Sequence, residues 1–125
     1  MIEIKIRSEK DTILSFTINN HALIDREAIM AGDAYDMICN TVSVLSQSVI
    51  IGFDEVLKLN VNYEMKDGYL ALDLNGFTQE EIEQGQVLLK TFAKSLESVI
   101  LSLDESFGIN KRKEYITLKN EEVFL

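Results

Sequence analysis

The sequence predicts an α+β fold in which two helices pack on a mixed or antiparallel sheet, in the order ββαββαβ. Residues 2–7 alternate between isoleucine and charged side chains, which is typical of a half-buried strand. Residues 57–74 repeat this period of two on either side of Asp67-Gly68. Residues 79–107 instead place apolar side chains at helical spacing, which indicates a long helix with one buried face.

The predicted strands pair as hairpins where turn residues separate two alternating runs. Polar residues 8–11 lie between the first run and a second run around Phe16, so they predict a first hairpin. Asp67-Gly68 predicts a second hairpin, because these residue types suit the positive φ angles of a two-residue turn. A basic segment, residues 111–113, precedes a last predicted strand at residues 115–118.

The first predicted helix ends near Ile51-Gly52, and two aspartates compete as its N-cap, Asp36 and Asp33. Its β-branched residues have weak helix propensity, so packing must stabilise it. The stripe that we expect to face the core has spacings of three and four. It consists of Ile38, Thr41, Val42, Leu45 and Val49.

The second predicted helix has clear boundary signals. Thr78 and Glu81 form a capping box, in which each side chain reaches the backbone N–H of the other residue. Gly108 suits the position just after the helix. No internal repeat, low-complexity segment or linker interrupts the 125 residues. We therefore expect one domain over residues 1–118 and a C-terminal tail over residues 119–125.

The composition argues against several classes of function. The net charge of −9 argues against nucleic acid as a direct partner, because neutralising phosphates requires clustered lysine and arginine. We find no signal peptide and no run of about 18 apolar residues, so we expect no membrane span. A single cysteine excludes an internal disulfide, which suits a reducing compartment. Too few zinc ligands and no glycine-rich phosphate loop are present, so we expect no metal and no cofactor.

The only histidine and the only cysteine, His21 and Cys39, are separated by one predicted loop. We expect His21 to follow a strand and Cys39 to lie near the start of a helix. An imidazole and a thiol are the minimum equipment for a thiol nucleophile and its base. From composition alone a purely structural role for both residues stays open, since free cysteine is commonly buried as a small hydrophobic residue and histidine commonly lies at the surface.

The residues around this pair resemble the ribosomal processing cysteine proteases of Gram-positive and related bacteria. The family signature reads Gly-His-Ala, a loop, and then Gly-x-Asp-Ile-Val-Cys-Ala-Ala-Val-Ser. The matching residues of this chain are His21, Ala22, Asp36, Ile38, Cys39, Val42 and Ser43. The predicted element order also agrees with the family over about residues 1–118. The chain departs from the signature at Asn20, Ala34 and Asn40, and its loop over residues 22–35 is longer.

The resemblance implies that Cys39 attacks the scissile carbonyl as a thiolate and that His21 is the general acid and base. A helix start favours a thiolate, so we expect Cys39 in the first turn, with a lowered pKa. Asp36 then either caps the helix or orients the ring of His21. Ser43 hydrogen-bonds near the thiol or bonds back to a helix carbonyl. The backbone N–H groups of Ile38 and Cys39 are the expected oxyanion donors.

The resemblance further implies a cytoplasmic homodimer that trims the N-terminal extension of large-subunit ribosomal protein twenty-seven during ribosome maturation. The expected partner is therefore a basic precursor with an apolar N-terminal extension, which an acidic chain suits. Helix residues 79–107 are candidates for the dimer interface. Two alternatives stay open at this point. One is a non-catalytic dimeric α+β binding module that kept the fold and lost activity, and the other is a structural dimer in which Cys39 is simply buried.

Overall fold

The computed structural model describes residues 1–20 and 32–123, with the side chains of residues 1–19 and 35–123. Within these residues three helices pack on a five-stranded mixed sheet, which confirms the α+β fold class. The strands are β1 (Ile2–Glu9), β2 (Thr12–Asn20), β3 (Asn62–Lys66), β4 (Tyr69–Asp73) and β5 (Ile116–Glu122). The helices are α1 (Gly32–Ile51), α2 (Gln79–Phe107) and α3 (Ile109–Tyr115).

The sheet has the strand order β3-β4-β2-β1-β5, with β1 and β5 parallel and the other neighbours antiparallel. Ile4 lies opposite Ile18 on β2 and opposite Leu118 on β5, which places apolar side chains in one row across the centre. Both predicted hairpins are present. The second turns at Asp67-Gly68, where Gly68 has a φ of 75°.

One face of the sheet forms the core with α1 and α2. The alternation predicted for β1 is confirmed, because Ile2, Ile4 and Ile6 are all buried. The ring of Phe16 on β2 contacts the ring of Phe92 on α2, with centroids 4.5 Å apart. Burying such aromatic side chains is a main source of stability in a domain of this size.

The capping box of α2 is confirmed. The backbone N–H of Glu81 donates to Thr78 Oγ1 over 3.2 Å, and that of Thr78 donates to Glu81 Oε1 over 2.9 Å. The helix ends at Phe107, as the sequence predicts, and Gly108 follows with a φ of 86°. Positive φ favours glycine because it has no Cβ.

The prediction of a strand over residues 57–65 is wrong in its first half, since β3 begins only at Asn62. A π-helical turn (Gly52–Val56) continues α1 instead. The backbone N–H of Leu59 donates to the carbonyl of Phe53 over 2.8 Å, which holds the following segment against this turn. Residues 57, 59 and 61 alternate because they are partly or fully buried in an irregular segment, which a period of two alone does not distinguish from a strand.

The C-terminal part also differs from prediction. The basic segment forms α3, which lies before the last strand and is anchored by an ion pair of 2.7 Å between Arg112 Nε and Asp104 Oδ1. The last strand β5 extends to Glu122, and the backbone N–H of Val123 donates to the carbonyl of Ser8 over 2.7 Å. Residues 119–122 therefore belong to the sheet, although we predicted that the tail begins at residue 119.

We expected no segment suited to a membrane, but residues Tyr35–Val56 are long and apolar enough to cross one, with a mean hydropathy of 1.3. Within the described part of the chain this is the one helix that qualifies. Ile38, Val42 and Val49 on this helix are buried in the core. Packing on the sheet therefore accounts for part of the apolar composition, since 39% of the segment is buried and residues such as Met37 and Val56 remain exposed.

Candidate active site

Cys39 lies on α1, seven residues after its first residue, Gly32. At 3.6 residues per turn this is about two turns into the helix. The thiol is half-buried and packs against the hydrophobic core between α1 and the sheet. Its neighbours along the helix, Ile38 and Val42, are buried, so the backbone around the sulfur is held rigidly.

The expected position of Cys39 in the first helical turn is wrong. The helix begins before both candidate caps, so Asp33 is its second residue and Asp36 its fifth, and neither is an N-cap. Ala34 and Tyr35 are compatible with a helix, and the chain is already helical when it reaches Asp36. The favourable effect of the helix dipole falls off within the first turn, so it supports a Cys39 thiolate only weakly.

The oxyanion donors predicted at the backbone N–H groups of Ile38 and Cys39 stay a prediction, and their place about two turns into α1 does not favour it. Only the first four N–H groups of an α-helix lack a partner within the helix. The N–H groups of residues 38 and 39 lie beyond that turn and are used by the hydrogen bonds of α1 itself. The N–H groups that helix geometry leaves unpaired belong to the first turn of α1, closer to the helix start than Cys39.

The surroundings of Cys39 favour the neutral thiol. Burial raises the pKa of Cys39 above its ordinary value, and the carboxylate of Asp36 raises it further. A hydrogen bond from the side chain of Tyr35 and the positive α-amino group of Met1 act in the opposite direction. We predicted a lowered pKa, and the structure gives a raised one, because burial has the largest effect.

Tyr35 is the functional candidate that sequence reasoning missed. Its hydroxyl is hydrogen-bonded to Cys39, and burial together with the negative charge of the thiolate raises the pKa of Tyr35 to about 12. Tyr35 precedes Cys39 by four residues, a spacing at which helical side chains meet. The signal was therefore present in the sequence as a tyrosine one turn before the only cysteine.

Ser43 follows Cys39 by one turn and is half-buried. Its Oγ accepts a hydrogen bond of 2.7 Å from Gln47 Nε2, and its carbonyl accepts one of 3.0 Å from Ser46 Oγ. The two roles that we expected for Ser43 were a bond near the thiol and a bond back to a carbonyl. Its hydrogen bonds with Gln47 and Ser46 place it in a polar row along α1.

This polar row borders a cavity of about 190 Å³ between α1 and the turn that joins β3 to β4. The helix contributes Ser43, Ser46 and Gln47, and the turn contributes Asp67 and Gly68. Ser43 links the cavity to the site, because it lies one helical turn from Cys39. The arrangement provides a polar recess on the thiol's side of the domain.

The proton acceptor predicted at His21 lies outside the described residues, together with the loop residues 22–31. The structure therefore does not test the pairing of His21 with Cys39. It does describe the end of β2, where the backbone of Asn20 lies opposite Ile2. The positive α-amino group of Met1, which precedes β1 at this end of the sheet, lowers the pKa of Cys39.

Residues 1–107 match the family described as cysteine protease Prp. The chain belongs to this family. The match covers β1, β2, α1, the hairpin of β3 and β4, and all of α2, so it includes Cys39 and the helix that carries it. No curated protein matches the chain at a significant level.

Solved structures share this Prp fold over nearly the whole chain. SMU.848 from Streptococcus mutans is 24% identical with a TM-score of 0.71, and the alignment covers 98% of this chain and 99% of that one. The essential ribosomal processing protease Prp from S. aureus in complex with a substrate peptide is 15% identical with a TM-score of 0.67, covering 97% and 100%. The same protease in complex with a covalently linked product peptide is 17% identical with a TM-score of 0.64, also covering 97% and 100%.

Proposed function

We propose that this chain is a cysteine endopeptidase that removes the N-terminal extension of a large-subunit ribosomal protein during ribosome maturation. The observation that carries the proposal is the combination of family and composition. The family is one of cysteine proteases, and this chain has one cysteine, Cys39, within the matched residues. A cysteine protease needs a thiol nucleophile, so the role falls to Cys39.

His21 is the proposed general acid and base, since it is the only histidine of the chain. As the sulfur of Cys39 attacks the scissile carbonyl carbon, the thiol proton passes to His21. The C–N bond then breaks, that proton passes to the departing amine, and an acyl-enzyme thioester remains. Water attacks the thioester, which releases the carboxylate product and restores the thiol.

Two observations support a basic ribosomal precursor as the substrate. The S. aureus protein that shares this fold is a ribosomal processing protease, and its structures contain a substrate peptide and a covalently linked product peptide. The chain also carries a net charge of −9, which attracts a basic partner. We propose the cavity between α1 and the β3–β4 turn as the recess that receives part of the extension.

We also propose a cytoplasmic homodimer. Ribosome maturation and a single free thiol both suit a reducing compartment. A groove between α1 and α2 is lined by Leu45, Ser48 and Val49 on α1 and by the exposed Val87 on α2. Met37 on α1 is also exposed, in a second recess between the two helices. Such residues are typical of a surface that a second copy covers.

One observation favours the alternative of a non-catalytic binding module. Cys39 is half-buried against the hydrophobic core, as a structural cysteine is, and this burial raises its pKa. The two functions differ in what happens to a ribosomal precursor, because only the protease shortens it.

The deciding experiment incubates the protein with the ribosomal precursor of the same organism and weighs the products by mass spectrometry. We expect a single cleavage near the N-terminus, abolished by Cys39→Ser and reduced by at least about a hundredfold by His21→Ala. The exposed variant Ser106→Ala is the matched control and should cleave normally. An intact precursor with the unsubstituted protein, or cleavage that survives Cys39→Ser, would contradict the proposed function.

A further inference from the structure

We propose that Tyr35 is a positioning residue for Cys39. The Tyr35 hydroxyl donates a hydrogen bond along α1 to the Cys39 sulfur, and it takes the place of an unpaired backbone N–H group, which the start of α1 is too far away to supply. This inference rests on the proposed function, because it assigns a role in preparing the nucleophile. Tyr35 occupies the x position of the signature segment Gly-x-Asp, where the family signature specifies no residue type.

The geometry follows from the helix. Tyr35 and Cys39 are four residues apart on α1, so their side chains lie on one face, one above the other. Both are partly buried and pack against the same hydrophobic core. Their hydrogen bond is therefore formed between two side chains whose freedom is already restricted, and this keeps the cost of ordering them small.

The need for such a donor follows from the position of Cys39. Two turns from the helix start, the sulfur has no unused backbone N–H group of α1 beside it. Burial and the carboxylate of Asp36 both disfavour a thiolate here. The groups of the described residues that oppose them are the hydroxyl of Tyr35 on the same helix and the α-amino group of Met1 at the start of β1.

The Tyr35 hydroxyl also fixes the orientation of the Cys39 side chain. A donor that contacts the sulfur from the N-terminal side of α1 selects one rotamer of the Cys39 side chain. Hydrogen bonds to a charged acceptor are stronger than those to a neutral one, so the contact strengthens as the thiol ionises. The Tyr35 hydroxyl itself remains protonated at neutral pH, because its pKa is raised to about 12.

The test compares iodoacetamide alkylation of Cys39 across pH in the unsubstituted protein and in Tyr35→Phe, which keeps the ring and removes the hydroxyl. We expect Tyr35→Phe to react about tenfold more slowly at pH 7, from the loss of one charge-assisted hydrogen bond. The difference should shrink at high pH, where the thiol is ionised in both proteins. Tyr63→Phe, on exposed β3, is the matched control and should follow the unsubstituted profile.

A second readout separates this inference from the proposed function. Cleavage of the precursor by Tyr35→Phe should lose kcat with little change in KM, since the hydroxyl acts on the nucleophile and not on peptide binding. Superimposable alkylation profiles would overturn the role of Tyr35 while leaving the protease intact. A shifted profile in a protein that cleaves nothing would retain the Tyr35 contact and overturn the protease. If Tyr35→Phe does not fold, Tyr35→Leu takes its place, with the same expected loss.

Discussion

Cys39 is held in a state that differs from an exposed thiol in two respects. Its sulfur is half-buried on α1, and the carboxylate of Asp36 opposes its ionisation. The hydroxyl of Tyr35 offsets part of this effect. A resting nucleophile of this kind stays mainly protonated near neutral pH, so its activation depends on a base that takes the proton during attack.

The contribution of Asp36 can be measured directly. Asp36→Asn removes a negative charge near the sulfur, which lowers the pKa of Cys39 and raises the thiolate fraction at neutral pH. We expect alkylation at pH 7 to become about twofold faster, the size typical of an exposed charge interaction. The rate is measured by quenching the alkylation at successive times and determining the alkylated fraction by mass spectrometry.

Two controls belong to this prediction. Asp36→Glu keeps the charge and should leave the rate nearly unchanged. About 0.5 M salt screens exposed charges, so the advantage of Asp36→Asn should largely disappear there. An Asp36→Asn protein that reacts more slowly than the unsubstituted one would show that Asp36 supports the thiolate, as our sequence-based hypothesis of an orienting residue requires.

Among the elements, β2 and α2 are joined by a side chain that acts like an additional strand partner. Gln86 Oε1 accepts a hydrogen bond of 2.8 Å from the backbone N–H of Ile13, and Gln86 Nε2 donates one of 2.8 Å to the Ile13 carbonyl. The pairing of β1 with β2 shifts register between Arg7 and Ser8. Gln86 thus pairs the backbone N–H and carbonyl of Ile13 at the irregular end of β2. Its side-chain amide supplies one acceptor and one donor, as a peptide group of a neighbouring strand would.

Replacing Gln86 should destabilise the domain. Gln86→Leu leaves both backbone groups of Ile13 without this partner, and we expect a loss of about 2 kcal/mol in the free energy of unfolding. Urea denaturation followed by circular dichroism measures it. Gln84→Leu, an exposed substitution on the same helix, should change stability by less than about 0.5 kcal/mol. Equal effects of the two variants would show that the bonds to Ile13 contribute nothing.

The junction of the π-helical turn with α2 depends on a glycine. A Cβ placed at Gly85 would lie 2.5 Å from Cε1 of Phe53, whose ring is fully buried. Overpacking of this kind costs about 1–3 kcal/mol, and the better helix propensity of alanine returns at most about 1 kcal/mol. Gly85→Ala should therefore unfold at lower urea concentration.

The partner of this clash gives the control for Gly85→Ala. Phe53→Leu makes room for the new methyl group, so the double variant should be more stable than the sum of the two single effects predicts. Additive effects would mean that the glycine is required for another reason.

The elements that local chemistry determines were predicted well. The Asp67-Gly68 turn and the Thr78–Glu81 capping box each depend on residues adjacent in sequence, and both are present as predicted. The start of α1 was missed because Asp33 and Asp36 both look like caps, and nothing local excludes a helix that begins before them. Residues 57–61 were misassigned because burial in an irregular segment gives the same period of two as a strand.

At the scale of the whole molecule, the sequence predicted the sheet, whereas the half-burial of Cys39 could not be predicted from it. Cys39 was identified by its residue type and motif, whereas its burial and its contact with Tyr35 arise from where α1 begins and how it packs. These depend on contacts between distant segments, such as β5 beside β1, which no local pattern encodes. The pairing of Cys39 with His21 stays a prediction.

The proposed dimer is tested on the groove between α1 and α2. Val87 is 72% exposed and lies beside that groove, so a charge there should oppose the docking of a second copy. We expect Val87→Glu to sediment as a monomer in analytical ultracentrifugation at micromolar concentration. Its free energy of unfolding, measured separately, checks that the variant is folded. Val56→Glu, 73% exposed on the π-helical turn, is the matched control and should remain dimeric. A Val87→Glu protein that sediments like the unsubstituted one would place the interface elsewhere.

The half-buried, protonated sulfur has a consequence for survival of the protein under oxidative stress. Peroxides react with the ionised form of cysteine and convert it stepwise to sulfenic, sulfinic and sulfonic acids, the last two being essentially irreversible. Because the raised pKa of Cys39 keeps its thiol largely neutral when no substrate is bound, little thiolate is present for these oxidants to attack. The same environment that slows the resting nucleophile therefore also slows the reaction of Cys39 with hydrogen peroxide.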